Sequence, residues 1–267
     1  MKVCFVLAVL VVSGSAGPAG VARFRFNRRM PEAYDSPEWT PWIVGGTDAN
    51  IAQYPYQLSL QRRDGGHFCG ASIIAAQWAL SAAHCTFPAP APSTLQLRAG
   101  SSDRTQGGVV FDIDQIVNHP NYNEATIQID VCVLHTTSVM SGLHITPVAL
   151  DPSGATHTPG TRAVVSGWGL NADRVSPIIL QRVDIPIISD ADCRAAWPGF
   201  FSPDMLCANE PGRDACSMDS GGPLVVAGRQ IGIVSWGNPS CLGTAPGGYA
   251  RVAYPAIRSF ILEVTGV

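Results

Sequence analysis

Three short stretches carry residues able to share one piece of chemistry: ALSAAHC (79–85), IDVCVL (129–134) and MDSGGP (218–223). Serine is a weak nucleophile at its own pKa and needs a base to take its proton. His84 is a candidate base for Ser220, and a buried carboxylate at Asp130 would hold the imidazole in the useful tautomer. The types fit a nucleophile, a base and an orienter. The three positions lie far apart, so spacing alone does not join them, and His84 is one of six histidines.

The elements that must position these residues are short β-type runs between turn formers. They read YQLSL (56–60), ASII (71–74), TLQLRAG (94–100), VVFDIDQIV (109–117), DVCVL (130–134), RAVVSG (162–167), PLVVAG (223–228) and QIGIVSW (230–236). Strands at this spacing, with Gly and Pro between them, predict an all-β barrel or sandwich. Only YPAIRSFILEVTGV at the end has helical spacing, with Ile257, Phe260 and Ile261 on one face.

The composition, 46% hydrophobic and 14% charged with 27 Gly and 21 Pro, is that of a turn-rich globular chain. A formal net charge of −3 and the lack of a basic run beyond the first 30 residues argue against nucleic acid. The start, MKVCFVLAVLVVSGSAG, pairs one positive charge with an apolar run from Val3 to Val12 and then small residues. That is a secretory signal pattern ending at Ala16, too short to span a bilayer, which needs about 20 residues. Residues 17–42 hold charge and proline without periodicity and read as a pro-segment, leaving 43–267 as the folded domain. Secretion makes disulfides the expected state of cysteine. Of eight cysteines Cys4 leaves with the signal, and the odd remainder requires one unpaired thiol or a bond to another chain. Cys132, inside an apolar run, reads as a buried inert thiol.

The motifs IVGG (43–46), SAAHC (81–85), DVCVL (130–134), SGWG (166–169), DSGGP (219–223) and SWG (235–237) occur in the order found in the trypsin/chymotrypsin family, which the chain resembles over essentially all of 43–267. The resemblance implies two six-stranded antiparallel β-barrels with a C-terminal helix and an active site in the cleft between them. It assigns His84 as general base, Asp130 as its orienting partner and Ser220 as nucleophile, in the family's chain order. It pairs Cys69 with Cys85, Cys193 with Cys207 and Cys216 with Cys241, leaving Cys132 free.

The resemblance also implies a switch. Cleavage after Trp42 would free the Ile43 amine to pair with the buried carboxylate of Asp219, ordering the site. Cleavage after an aromatic residue calls for an activating protease with an apolar pocket. Asp214 would form the floor of the primary pocket, with Ala215 beside it and Gly237 and Gly247 as walls. An anion there selects Arg through charge-assisted hydrogen bonds, and Lys as well. The expected oxyanion hole is the backbone N–H pair of Met218 and Ser220, where the family usually has glycine at the first position. Methionine there predicts backbone strain and a changed response to protein inhibitors. The expectation is a secreted, monomeric serine endopeptidase acting on polypeptides, needing no cofactor or metal and engaging neither nucleic acid nor membrane. The alternative is an impaired homologue that only binds or regulates, should Met218 cost the site a donor.

Overall fold

The computed structural model of the chain describes residues 45–171, 174–238 and 240–267. The signal reading of 1–16, the pro-segment reading of 17–42 and the position of Ile43 fall outside the described residues.

The first half builds β1 (Thr47–Asp48), β2 (Gln57–Arg62), β3 (Gly66–Ala75), β4 (Trp78–Ser81), β5 (Leu95–Ala99), β6 (Val109–Asn118) and β7 (Cys132–Thr136). Six of these close a barrel in the order β2-β3-β4-β7-β6-β5. Alternation drives the closure. In LQLRA of β5, Leu95, Leu97 and Ala99 point inward, and in β6 Phe111 and Ile113 do the same. They meet Leu58, Leu60, Ile73 and Leu134 in one fully enclosed core. Burying each such aliphatic side chain contributes about 1.5–3 kcal/mol.

The second half builds β8 (Ala149–Leu150), β9 (Arg162–Gly167), β10 (Gln181–Pro186), β11 (Met205–Ala208), β12 (Pro223–Val226), β13 (Arg229–Trp236) and β14 (Gly247–Arg251). The sheet runs β1-β10-β9-β12-β13-β14-β11, with β8 added in parallel to β13. Its six central strands have their ends tied by the antiparallel bridge Ile187↔Ala208 and by the Ile188 N–H, which donates to the Cys207 carbonyl at 2.9 Å. The second of the two expected six-stranded barrels therefore has two short strands added to it, and closes through a bridge instead of a continuous ladder. Val165, Val183, Ile185, Leu224 and Tyr249 fill it.

Helix α1 (Asp190–Ala196) starts at Ser189, whose hydroxyl accepts from the Asp192 N–H at 3.0 Å, with two aspartates in its first turn. Helix α2 (Pro255–Thr265) begins on proline and ends at Gly266 in the left-handed region, φ 79°. It buries Ile257, Phe260 and Ile261 against Val133, Val148 and Ile233, spanning both halves. Two buried hydrogen bonds also cross between them: Ser166 to Gln57 Oε1 and Ser72 to Gln230 Oε1, each 2.6 Å. In a dry interface such bonds are costly to leave unmade, so they set how the halves meet.

Candidate active site

Strand β4 ends in Ser81 and runs into a short 3-10 turn, Ala83–Cys85, that carries His84. The Cys69–Cys85 disulfide ties this turn to β3. Asp130 precedes β7 and is 1% exposed. The His84 N–H donates to Asp130 Oδ1 at 2.9 Å and its ring Nδ1–H donates to Oδ2 at 2.7 Å. The Ser235 hydroxyl, from the SWG stretch of β13, donates to the same Oδ2. With three donors around it the carboxylate is satisfied and the ring has one orientation. Burial works against the protonated imidazole, yet the hydrogen bond and charge of Asp130 outweigh it and hold the His84 pKa above its ordinary value.

Ser220 sits at the start of the turn into β12, and this turn is pressed against the first barrel. The Gly70 N–H donates to the Ser220 carbonyl at 2.7 Å, and the Gly221 N–H to the Val234 carbonyl at 2.7 Å. Gly221 has φ 80°, and a Cβ there would lie 2.2 Å from Ser81 Oγ. No side chain fits, which is the physical reason for glycine after the serine. The Ser220 carbonyl lies 3.6 Å from Cys85 Sγ, and Cys85 Sγ lies 3.9 Å from His84 Nε2. Ser220 and His84 thus flank the same disulfide. Among the described residues no hydrogen bond joins the Ser220 hydroxyl to His84; the His84–Asp130 link is made and the Ser220–His84 link is open. Such contacts are often long in an unliganded site and tighten with substrate.

Met218 keeps the left-handed backbone that a glycine would adopt, φ 77°. The Asp219 N–H is tied back to the Cys216 carbonyl at 3.0 Å. The N–H groups on either side of it, Met218 and Ser220, donate to nothing among the described residues. They are two free donors beside the Ser220 side chain. Asp219 itself is fully buried. Its oxygens accept from the Gly169 and Cys216 N–H groups at 2.8 and 3.0 Å. Burial nevertheless raises its pKa to about 7, against the pull of those two donors. A Cβ on Gly169 would lie 2.1 Å from the carboxylate, so the glycines of SGWG make the space it occupies.

Next to Ser220 opens a cavity of about 210 Å³ that Asp214 helps to line. Asp214 is 3% exposed, and its Oδ2 has no hydrogen-bond partner. Burial raises its pKa to about 7; the Ala215 and Gly243 N–H groups oppose the shift and the charge of Asp219 adds to it. Gly237 and Gly247 are neighbours in the lining, a Cβ on Gly237 lying 3.7 Å from Gly247 Cα, and Ala215 lines the cavity as well. The Cys216–Cys241 disulfide joins the two segments that form the cavity. Sequence reasoning did not single out Tyr249, whose buried hydroxyl also lacks a partner beside Asp214, nor Ser235 as a donor to Asp130. Ser235 could have been found from its place in SWG; Tyr249 follows two pocket glycines in a strand with no alternation. Cys193–Cys207 is formed, and Cys132 is a buried free thiol whose pKa burial pushes up to about 12.

A closed six-stranded barrel joined to a second β half, with a buried carboxylate bonded to an imidazole beside a half-buried serine on a turn, defines a serine-peptidase type of site. The family model for trypsin matches residues 43–261. The chain is 41% identical over 229 residues to trypsin alpha of Drosophila melanogaster, covering 83% of this chain and 86% of that protein. It is 39% identical over 226 residues to trypsin beta of Drosophila erecta, covering 83% and 87%. To serine protease 1 of Rattus norvegicus it is 41% identical over 218 residues, covering 79% and 85%. The chain belongs to the trypsin family and is a trypsin-like serine endopeptidase.

Proposed function

We propose that the chain hydrolyses peptide bonds after Arg, and after Lys as well, through an acyl-enzyme on Ser220, once cleavage after Trp42 has matured it. The carrying observation is the buried, unpartnered Oδ2 of Asp214, which lines a cavity shared with Ser220. An orphaned buried carboxylate is costly, and a guanidinium or ammonium entering the cavity supplies its missing partner. The fork of Arg engages both oxygens, which favours it over the point charge of Lys.

Bound in this way, the scissile carbonyl lies against Ser220. The Ser220 oxygen attacks the carbonyl carbon while His84 Nε2 takes its proton, and Asp130 stabilises the imidazolium. The oxyanion is held by the N–H groups of Met218 and Ser220. His84 then returns the proton to the leaving amine, and a water activated by the same base releases the acid from Ser220. In the maturation step the new Ile43 ammonium pairs with Asp219. Support comes from the burial of Asp219, its raised pKa, and the close docking of Gly45, where a Cβ would lie 2.2 Å from the Gly212 carbonyl, two residues before Asp214.

Residues 1–16 are read as a secretory signal and 17–42 as the pro-segment, so the working enzyme is an extracellular monomer of 43–267. Its partners are polypeptide substrates, an activating protease with an apolar pocket, and protein inhibitors. No helix among the described residues is long and apolar enough to cross a membrane. The test is to cleave after Trp42, confirm the Ile43 terminus, and assay matched Arg, Lys and Phe peptides. Turnover of Arg and Lys but not Phe supports the reading. Phe preference overturns the pocket assignment, and no turnover at all favours the impaired-homologue alternative.

A further inference from the structure

Asp130 is carried on a turn that its own residues disfavour. Ile127 and Ile129 both lie in the left-handed region, at φ 54° and 55°. A branched Cβ is crowded there, and two such residues within three positions do not hold this shape unaided. The turn tightens around the aspartate itself, because the Val131 N–H donates to the Ile129 carbonyl at 2.9 Å with Asp130 between them. What holds it from outside is a residue of the other half. The Ile129 N–H donates to Asp204 Oδ2 at 2.6 Å.

Asp204 lies just before β11 and is 4% exposed. Its second oxygen accepts from the Ser202 hydroxyl, and its carbonyl accepts from the Arg251 N–H at 2.7 Å. Among the described residues no basic side chain pairs with it; Arg251 itself is paired with Asp190. A buried carboxylate without a cation is expensive, so this one is stabilised by the donors it holds. A charge-assisted bond to a backbone N–H is strong and directional enough to fix a peptide plane.

We propose that Asp204 is a positioning residue for the reaction: it clamps the Ile129 N–H and so maintains the strained turn that aims Asp130 at His84. It touches no reacting atom and acts through Asp130. Because Asp204 belongs to the second half while Asp130 and His84 belong to the first, the clamp makes alignment of the base depend on how the halves meet. The inference rests on the triad proposed above.

The test uses the full domain matured after Trp42, with the parent protein assayed first. A parent that does not acylate Ser220 refutes the proposed function and is distinguishable from a failure of the clamp. With an active parent, Asp204→Ala lowers kcat on an arginyl anilide about tenfold or more with KM within about twofold. Asp204→Asn keeps an acceptor for Ile129 and stays within about threefold of the parent. Ile129→Asn places a residue that tolerates positive φ in the turn, so adding it to Asp204→Ala restores most of kcat. A parental kcat in Asp204→Ala overturns the clamp, as does an equal fall in Asp204→Asn or a loss expressed in KM. Should Asp204→Ala not fold, Asp204→Glu, which keeps a carboxylate but moves the acceptor off the Ile129 N–H, is measured instead. A lower kcat at unchanged KM supports the clamp, and a parental kcat overturns it.

Discussion

Replacing Asp214 by asparagine separates what this carboxylate does for substrate from what it costs the fold. The side chain is isosteric and loses only the charge. Truncating one partner of a buried, hydrogen-bonded charge pair costs about 2–5 kcal/mol, so kcat/KM for arginyl substrates falls roughly 30- to 5,000-fold. The free enzyme behaves in the opposite sense. Its carboxyl is shifted from 3.8 to about 7, so between these values the folded chain keeps a proton that the unfolded chain has released. Stability therefore declines as pH rises through that window, by about 4 kcal/mol in full above pH 7. Asparagine removes the decline but still buries an amide at about 1–3 kcal/mol. The net expectation is a variant more stable than the parent by about 1–3 kcal/mol at pH 8 and no more stable at pH 3.5. For a domain of this size that raises Tm by about 2–12 °C at the higher pH. Kinetics on matched Arg and Phe peptides together with thermal scans at the two pH values read both effects. An unchanged preference for Arg, or a variant less stable than the parent at pH 8, would refute the reasoning.

Other expectations follow from the same geometry. A small guanidinium or amidinium competitor binds more weakly below about pH 7, tenfold per pH unit, because Asp214 must lose its proton to receive it; calorimetry in buffers of different ionisation heat counts that proton. The kcat/KM profile rises with pH through an apparent pKa above 6.5, since His84 acts as a base only when neutral and Asp130 favours its protonated form; an inflection below 6.5 contradicts this. Met218→Gly relieves the backbone at φ 77° and raises stability by about 1 kcal/mol, and it tightens binding of a Kunitz-type inhibitor; unchanged inhibitor affinity would show that Met218 does not crowd the leaving-group side. Cys132 stays unreactive toward thiol reagents in the folded protein at pH 8 and labels only on unfolding.

Several strands were legible because burial alternates or an apolar run is long, although β10, QRVDIP, alternates and is not among the runs read from the sequence. TLQLRAG and VVFDIDQIV fall on β5 and β6, and QIGIVSW falls on β13. Strands β11 and β14 were not legible. MLCA is buried at all four positions and has no period, and GGYAR opens with two residues of low strand propensity. The two glycines of β14 line the cavity beside Asp214, where they weaken the local strand signal. Helix α1 was missed because seven residues are too few to show a 3.6 period, although its cap, Ser189 followed by Asp192, was readable. In the site, His84 and Asp130 are joined by two hydrogen bonds and Ser220 lies across the same disulfide from His84, and the positive φ of Met218 was legible from its departure from glycine. The Asp204 bond to Ile129 was not, because residues 75 positions apart meet only through the fold.

The central claim is that Ser220 is a nucleophile made competent by the Ile43 terminus. Its most direct measurement is a burst titration with a guanidinobenzoate ester before and after cleavage at Trp42, with the acylated peptide located by mass spectrometry. The account predicts no burst before cleavage, close to one acyl group per chain afterwards, and that group on Ser220. A burst of equal size in the uncleaved chain, or no acyl group on Ser220 after a verified cut, would contradict it.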